Sequence, residues 1–412
     1  MQYLNSFLQL KKLTEVENTF FHFEGIDAFR REFESESYNL LPGKDVYRCV
    51  VHNQLFKTVN PFPAEIGGIN NNILVKDSEI EEDRNFTYQI FMPESKKRVN
   101  HAIFLFHGFN EKSWTKYLPW AQYITERTGY AVIMFPIAFH MNRTLPLWSD
   151  KRKMFKLSEE RKRMFPNIVE SSLANVAISM RLHSRPQRFI WSGIQTYYDI
   201  IQLMENIKAD KVLQISPSSD FHILAYSIGC FLAEILKFTN YHNYFDNSKI
   251  CFFCGGAVFN RLCPVSGYIL DSEANIALYS FLVEHFNNFL KKDERLNHYI
   301  NGPHPEGKVF HSMLNYNEMR EFRESLFRKY ENDFMAISLK KDSVIPPHEI
   351  INTLQGAARD ISIPVDVLDF SFSYTHINSF PVTGGENKDK IDAAFRKVFE
   401  KISRFIINRK VS

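Results

Sequence analysis

The sequence predicts an α/β architecture, a mostly parallel central sheet with helices on both faces. Three observations carry that expectation. Short, nearly continuous apolar runs recur along the chain: "HAIFLF" (101–106), "YAVIMFPI" (130–137), "FHILAY" (221–226), "KICFFCGGAVF" (249–259) and "DFMAISL" (333–339). Apolar residues at successive positions, rather than at every second one, mark strands covered on both faces. Segments with helical periodicity lie between these runs, and strands alternating with helices favour parallel pairing through crossover connections.

Taken in order, residues 1–71 form an N-terminal extension of mixed character. It carries a short helical pattern at 25–34 and a Pro/Gly/Asn-rich passage, "NPFPAEIGGINNN", that reads as a connection into the main domain. The core is expected over 72–260 and 332–412. "NILVKDSEIEEDRNFTYQIFMP" reads as an early hairpin, 101–106 as a buried strand, 113–127 as a helix and 130–137 as a second buried strand. Ile190, Ile194, Tyr197, Tyr198 and Ile201 place a helical stripe along 188–207. "FHILAY" then leads into the helix "IGCFLAEILKF". Further strands follow at 249–259, 333–339 and "PVDVLDFSF", and a final helix runs over about 389–407 with Ile391, Phe395, Val398, Ile402 and Phe405 on one face. Residues 138–187 and 261–331 break the alternation. Both are largely helical in pattern and read as insertions covering one edge of the sheet.

The chain has 412 residues, 44% hydrophobic and 15% aromatic, enough to bury a large core. A formal net charge of +3 does not single out nucleic acid or an anionic membrane as partner. Five cysteines, sparse and odd in number, do not form a disulfide framework, and Cys251 and Cys254 of "CFFC" read as core residues of a strand. No stretch approaches the ~18 apolar residues of a membrane span, and the N-terminus carries no apolar segment of signal-peptide length. A cytoplasmic protein is therefore expected, and Asn85 and Asn142, which match the glycosylation acceptor pattern, carry little weight.

In "HILAYSIGC", Ser227 stands where strand becomes helix. A sharp turn there lifts the side chain above the sheet edge and requires small residues two places before and after, here Ala225 and Gly229. A serine hydroxyl needs a base, and the base an orienting carboxylate. In such a sheet the chain order is serine, acid, histidine. Asp342 follows an apolar strand in "KKDSVIP", and His376 follows the next in "THINSF". Asp271, after the strand of Cys251, is a rival for the acid. The earlier "IFLFHGFN" ends a strand with His107-Gly108-Phe109, where backbone N–H groups can face a developing oxyanion; the expected donors are those of Phe109 and Ile228.

In order, "HGF", "AYSIG", "KKDSVIP" and "THINSF" resemble the oxyanion, nucleophile, acid and histidine segments of the α/β-hydrolase superfamily, in its serine esterase and lipase-like branch. The resemblance spans about residues 72–408, departing from the usual G-x-S-x-G in having Ala225 for the first glycine. It implies the α/β-hydrolase fold, Ser227, Asp342 and His376 as catalytic residues, Phe109 and Ile228 at the oxyanion, and a lid where 261–331 falls. It also implies a serine hydrolase acting through an acyl-enzyme, in the first place a carboxylic ester hydrolase on a small or medium, partly apolar ester. Peptidase, thioesterase and acyltransferase chemistry share these parts, and a non-catalytic binding protein could keep the fold.

His107, Gly108 and Tyr226, beside these segments, together with His140 and Arg143 in "FPIAFHMNRTLPLW", are candidates to line the substrate site, and Arg143 could pair a substrate carboxylate. Trp114, Tyr117, Asn142 and Trp148 are further candidates; for all of these, and for His140 and Arg143, a structural loop is the alternative and favoured reading. "KRKMFKLSEERKRMF" holds seven basic residues and reads as the solvated face of a lid helix. No H-E-x-x-H, P-loop or G-x-G-x-x-G pattern occurs, so neither metal nor nucleotide nor redox cofactor is expected. The expected partner is a small-molecule acyl substrate, with no nucleic acid, no membrane span and the oligomeric state left open.

Overall fold

A computed structural model describes residues 2–15, 18–49, 51–57, 73–94, 96–382 and 387–408. Its strands are β1 (Phe20–Phe23), β2 (Ile26–Glu34), β3 (Val46–Cys49), β4 (Gln54–Lys57), β5 (Asn85–Pro93), β6 (Val99–Phe106), β7 (Ala131–Met134), β8 (Ile215–Tyr226), β9 (Ile250–Phe253), β10 (Phe334–Leu339) and β11 (Val365–Leu368). Its α-helices are α1 (Tyr3–Glu15), α2 (Glu81–Arg84), α3 (Leu118–Thr128), α4 (Lys151–Met164), α5 (Val176–Ser184), α6 (Arg188–Lys208), α7 (Gly229–Thr239), α8 (Ser272–Tyr279), α9 (Phe286–Leu290), α10 (Glu294–Ile300), α11 (Pro305–Ser312), α12 (Arg320–Lys329), α13 (Pro347–Leu354) and α14 (Lys388–Ile407).

Nine strands form one sheet in the order β1-β2-β5-β7-β6-β8-β9-β10-β11, while β3 and β4 make a separate hairpin. The six strands from β7 to β11 pair in parallel; β5 runs antiparallel to both of its neighbours, and β1 antiparallel to β2. Counted from β2, the strands stand in the order 1-2-4-3-5-6-7-8 with only the second reversed, which is the α/β-hydrolase fold. β8 lies between β6 and β9, and its end is therefore flanked by theirs.

Side chains of a strand alternate between the two faces of its sheet. Phe104, Phe106, Phe221 and Ile223 point into one hydrophobic core, covered by α6, α7 and the helical insertions. Ile103, Leu105, Leu224 and Phe253 point into another, covered by α1, α3 and α14. Both faces are fully buried, which is why these strands read as unbroken apolar runs.

The first hundred residues differ from expectation. Residues 25–34 form a strand, not a helix. In β2, Ile26, Ala28 and Phe33 are buried while Arg30 and Arg31 are half-buried and Glu32 is exposed, a mixture that helical spacing also accommodates. Pairing along the whole length of β5 decides the outcome. The expected hairpin at 72–93 is instead a 3₁₀ turn (Asp77–Glu79) and the short α2 leading into the single strand β5, whose partners are β2 and β7. The passage 60–72 lies outside the described residues. No helix among the described residues is long and apolar enough to cross a membrane.

Candidate active site

The turn after β8 is tight. Ser227 has φ +56°, in the left-handed region that non-glycine residues rarely occupy, and this re-aims its side chain away from the sheet. Its N–H donates to the Phe253 carbonyl at 3.2 Å, and its own carbonyl accepts from Cys230 at 3.1 Å. The neighbouring strand ends leave no room for larger residues. A Cβ at Gly229 would come within 2.8 Å of the His107 carbonyl, and one at Gly108 within 2.9 Å of the Tyr226 ring. Gly255, after β9, is as constrained: a Cβ there would stand 2.5 Å from the Ser227 carbonyl. Gly255→Ala is thus expected to cost about 1–3 kcal/mol through overpacking and to displace Ser227. Urea unfolding and activity measured together on the purified variant check this, and wild-type values in both would contradict the packing described.

Three loops, following β8, β10 and β11, bring the sequence candidates together. Ser227 Oγ lies 2.8 Å from His376 Nε2, and His376 Nδ1 lies 2.7 Å from Asp342 Oδ2. The hydrogen-bond network assigns the tautomer: Nδ1–H donates to the carboxylate and Nε2 accepts from the serine hydroxyl. The second Asp342 oxygen accepts from the N–H groups of Val344 and Ile345, each at 2.9 Å, which fixes the carboxylate in the turn after β10. The side chains of Asp342 and His376 are almost fully buried. The Tyr226 ring stacks on the imidazole at 5.3 Å, and its hydroxyl donates to the His376 carbonyl. Burial holds the Tyr226 hydroxyl well above its usual pKa, so it remains a donor. Lys116 completes the support, its ammonium 4.4 Å above the Tyr226 ring and 3.3 Å from the Ile377 carbonyl.

The His107–Phe109 segment turns beside Ser227. His107 Nδ1 donates to the Gly108 carbonyl at 2.8 Å and Nε2 accepts the Ile137 N–H at 2.9 Å, so the ring is a neutral brace between two loops. Burial depresses its pKa well below the usual histidine range. Tyr117 accepts the Gly108 N–H at 2.9 Å and donates to Glu111 at 3.0 Å. Among the described residues, the N–H groups of Phe109 and Ile228 have no acceptor.

Two compartments meet at Ser227. A cleft of about 680 Å³, counting its open mouth, is walled by Gly108 to Ser113, Tyr226 and His376, with Ala174 from one insertion and Tyr268 and Ile269 from the other. Burial pulls the Lys112 ammonium down to about 8 there. On the other side a narrower space of about 440 Å³, likewise counting its open mouth, is lined by Phe109, Phe189, Phe259, Leu262, Leu278 and Ile345 among others, nearly all apolar. Most of these wall residues carry no motif. They are ordinary apolar and loop residues, and only the topology assigns them to the site.

Other candidates lie elsewhere. Arg143 cannot receive a substrate carboxylate: it is fully buried, 2.9 Å from Asp83 and 2.8 Å from Asp199. His140 is buried too, donating to the Ala138 carbonyl at 2.9 Å, with its ring edge-on to Phe109 at 5.3 Å. It supports the Phe109 loop and does not line the cleft. Burial lowers its pKa to about 4, so the ring stays neutral at physiological pH. His107 is likewise a brace and not a lining residue, whereas Gly108 and Tyr226 do border the cleft. Trp114 packs edge-on against His107, Trp148 is buried under Arg181, and Asn142 bonds to Thr87. Asp271 caps α8 and holds Arg161 of α4 through two bonds of 2.7 and 2.9 Å, which removes it as the acid.

Solved structures similar to this chain include an S-formylglutathione hydrolase from Agrobacterium tumefaciens (TM-score 0.47, 9% identity, covering 94% of this chain and 98% of that one). Carboxyl esterase 2 from Tuber melanosporum (TM-score 0.41, 12% identity, 78% and 82% covered) is another, as is the peroxisomal α/β-hydrolase Lpx1 from Saccharomyces cerevisiae (TM-score 0.41, 11% identity, 96% and 92% covered). No curated protein sequence matches the chain. A family model does, over residues 1–407, and the chain accordingly belongs to DUF6051, a family of unknown function.

Proposed function

We propose that this protein is a serine hydrolase of the esterase type, cleaving a partly apolar carboxylic ester through an acyl-enzyme. The observation that carries the reading is the continuous relay from Ser227 through His376 to Asp342, set where a polar cleft and an apolar space meet. Ser227 Oγ attacks the acyl carbon as its proton passes to His376 Nε2, and Asp342 stabilises the imidazolium that forms. The carbonyl oxygen gains charge facing the N–H groups of Phe109 and Ile228. His376 then gives the proton to the departing alkoxide oxygen. A water molecule, deprotonated by the same nitrogen, attacks the acyl-enzyme, and the carboxylic acid leaves as Ser227 recovers its proton. The apolar compartment suits the acyl chain, and the cleft bearing Lys112 suits a polar alcohol portion.

A fluorophosphonate probe tests the reading, because it phosphonylates a serine only where a base activates it. Wild type is expected to label, and Ser227→Ala and His376→Ala are not. Failure of the folded wild type both to label and to hydrolyse a small acetate ester would overturn it in favour of a binding protein.

A further inference from the structure

The hairpin β3–β4 stands apart from the main sheet, yet it meets the helical insertion through four side chains that bind metals. Cys49 ends β3 and His52 lies in the following turn; His298 sits in α10 and His304 immediately precedes α11. One ligand atom from each lies within 4.8 Å of all the others. His304 Nε2 is 3.2 Å from His52 Nδ1, 3.2 Å from His298 Nε2 and 3.3 Å from Cys49 Sγ, and Cys49 Sγ is 3.5 Å from His52 Nδ1. A tetrahedral zinc ion, with bonds of about 2.05 Å to nitrogen and 2.3 Å to sulfur, sets its ligands about 3.3 Å (N–N) and about 3.5 Å (N–S) apart. These four of the six edges match, and the other two, from His298 to Cys49 and to His52, close within 4.8 Å.

The surrounding hydrogen bonds favour a metal over mutual hydrogen bonding. His304 Nδ1 lies 2.9 Å from Glu306 Oε1 and 3.0 Å from the Tyr198 oxygen; Tyr198 gives its proton to the same carboxylate oxygen at 2.5 Å, so Nδ1–H is the donor to this pair of acceptors. His304 Nε2 is thereby left as a bare lone pair, and it faces three other ligand atoms at once, more than one lone pair can satisfy. A carboxylate holding the far nitrogen of a metal-bound histidine is a common outer partner of zinc sites.

We propose that Cys49, His52, His298 and His304 bind one Zn²⁺, with Glu306 and Tyr198 as outer partners. One thiolate and three imidazoles form a borderline-soft set that suits Zn²⁺ over Mg²⁺ or Ca²⁺. Four protein ligands close the coordination sphere, so the site is structural. On binding, the Cys49 thiol releases its proton to solvent and the histidines bind as neutral rings. The ion fastens strands β3 and β4 to the insertion at α11, which packs against α7, the helix that begins two residues after Ser227. This proposal departs from the sequence-based expectation of no metal.

The test uses the full chain without a histidine tag. Purified protein is expected to contain about one zinc per chain. Chelation is expected to lower its melting temperature by about 5 °C or more, and added Zn²⁺ to restore it. Co²⁺ in place of zinc should give tetrahedral visible bands and a thiolate-to-cobalt band that Cys49→Ser abolishes. Glu306→Gln should weaken Zn²⁺ about 10–100-fold, while Ser227→Ala should keep the metal. A wild type that emerges zinc-free from incubation with Zn²⁺ and gel filtration would overturn the proposal. So would unchanged zinc retention in a folded His52→Ala/His298→Ala variant, or cobalt spectra with no thiolate band.

Discussion

Ser227→Ala is expected to lower kcat/KM on an ester substrate by about 10⁴–10⁶-fold, with thermal stability close to that of the wild type. Oγ contacts His376 and no structural partner among the described residues, so its removal leaves the turn, which the backbone bonds to Phe253 and Cys230 hold. His376→Ala should cost nearly as much, because a serine without a base does not ionise near neutral pH. The double variant should be no slower than the worse single one, since residues that act as one unit are not additive. Measured with an acetate or butyrate ester, additive losses would mean that Ser227 and His376 act separately, and the relay would fail as a mechanism. Some rate above water should persist, supplied by the N–H groups of Phe109 and Ile228 and by binding in the cleft.

Arg143→Ala is expected to destabilise the protein by about 3–5 kcal/mol or more, the largest effect on folding of any substitution considered. The guanidinium is fully buried and holds Asp83 and Asp199 together; it also donates to the Pro136 carbonyl at 3.2 Å. Burial already raises both carboxyls above the ordinary aspartate range, Asp199 to about 6, against the pull of Arg143. Removing the cation strands two acids in the interior, where among the described residues Gln195, Ser35 and the Phe139 N–H still donate to them. The unfolding midpoint in urea reads the loss. A triple variant, Arg143→Met with Asp83→Asn and Asp199→Asn, should recover a substantial part of it, because the penalty comes from unpaired charge. A single variant within 1 kcal/mol of the wild type, on the scale of an ordinary surface change, would refute this account.

How much of this was legible in the sequence depended on where each signal is stored. β6, β8, β9 and β10 were legible because full burial writes itself as consecutive apolar residues. β2 was not, because Arg30, Arg31 and Glu32 at the edge of the core break that pattern, and its pairing with β5 is invisible locally. Ser227, Asp342 and His376 could be singled out because each follows a recognisable strand. The structural role of Arg143 could not be told from a substrate role because its partners lie 60 and 56 positions away. The Cys-x-x-His of 49–52 and the His-x₅-His of 298–304 are each weak alone and acquire meaning only when the fold brings them together.

The two ends of the described chain are sewn to each other. The Tyr3 N–H donates to Asp392 of α14 across 389 positions at 2.9 Å, and the Tyr3 hydroxyl donates to the Phe380 carbonyl at 3.0 Å. Tyr3 and Phe395 also pack ring to ring at 4.7 Å. During synthesis, then, the core on that face of the sheet stays open until residues 388–407 have been made. At ~5–20 residues per second, the growing chain carries an unfinished, apolar sheet face for tens of seconds. Cellular yield of this protein should therefore depend on holding chaperones and on translation speed through the last strand and helix, more than on the equilibrium stability of the finished molecule.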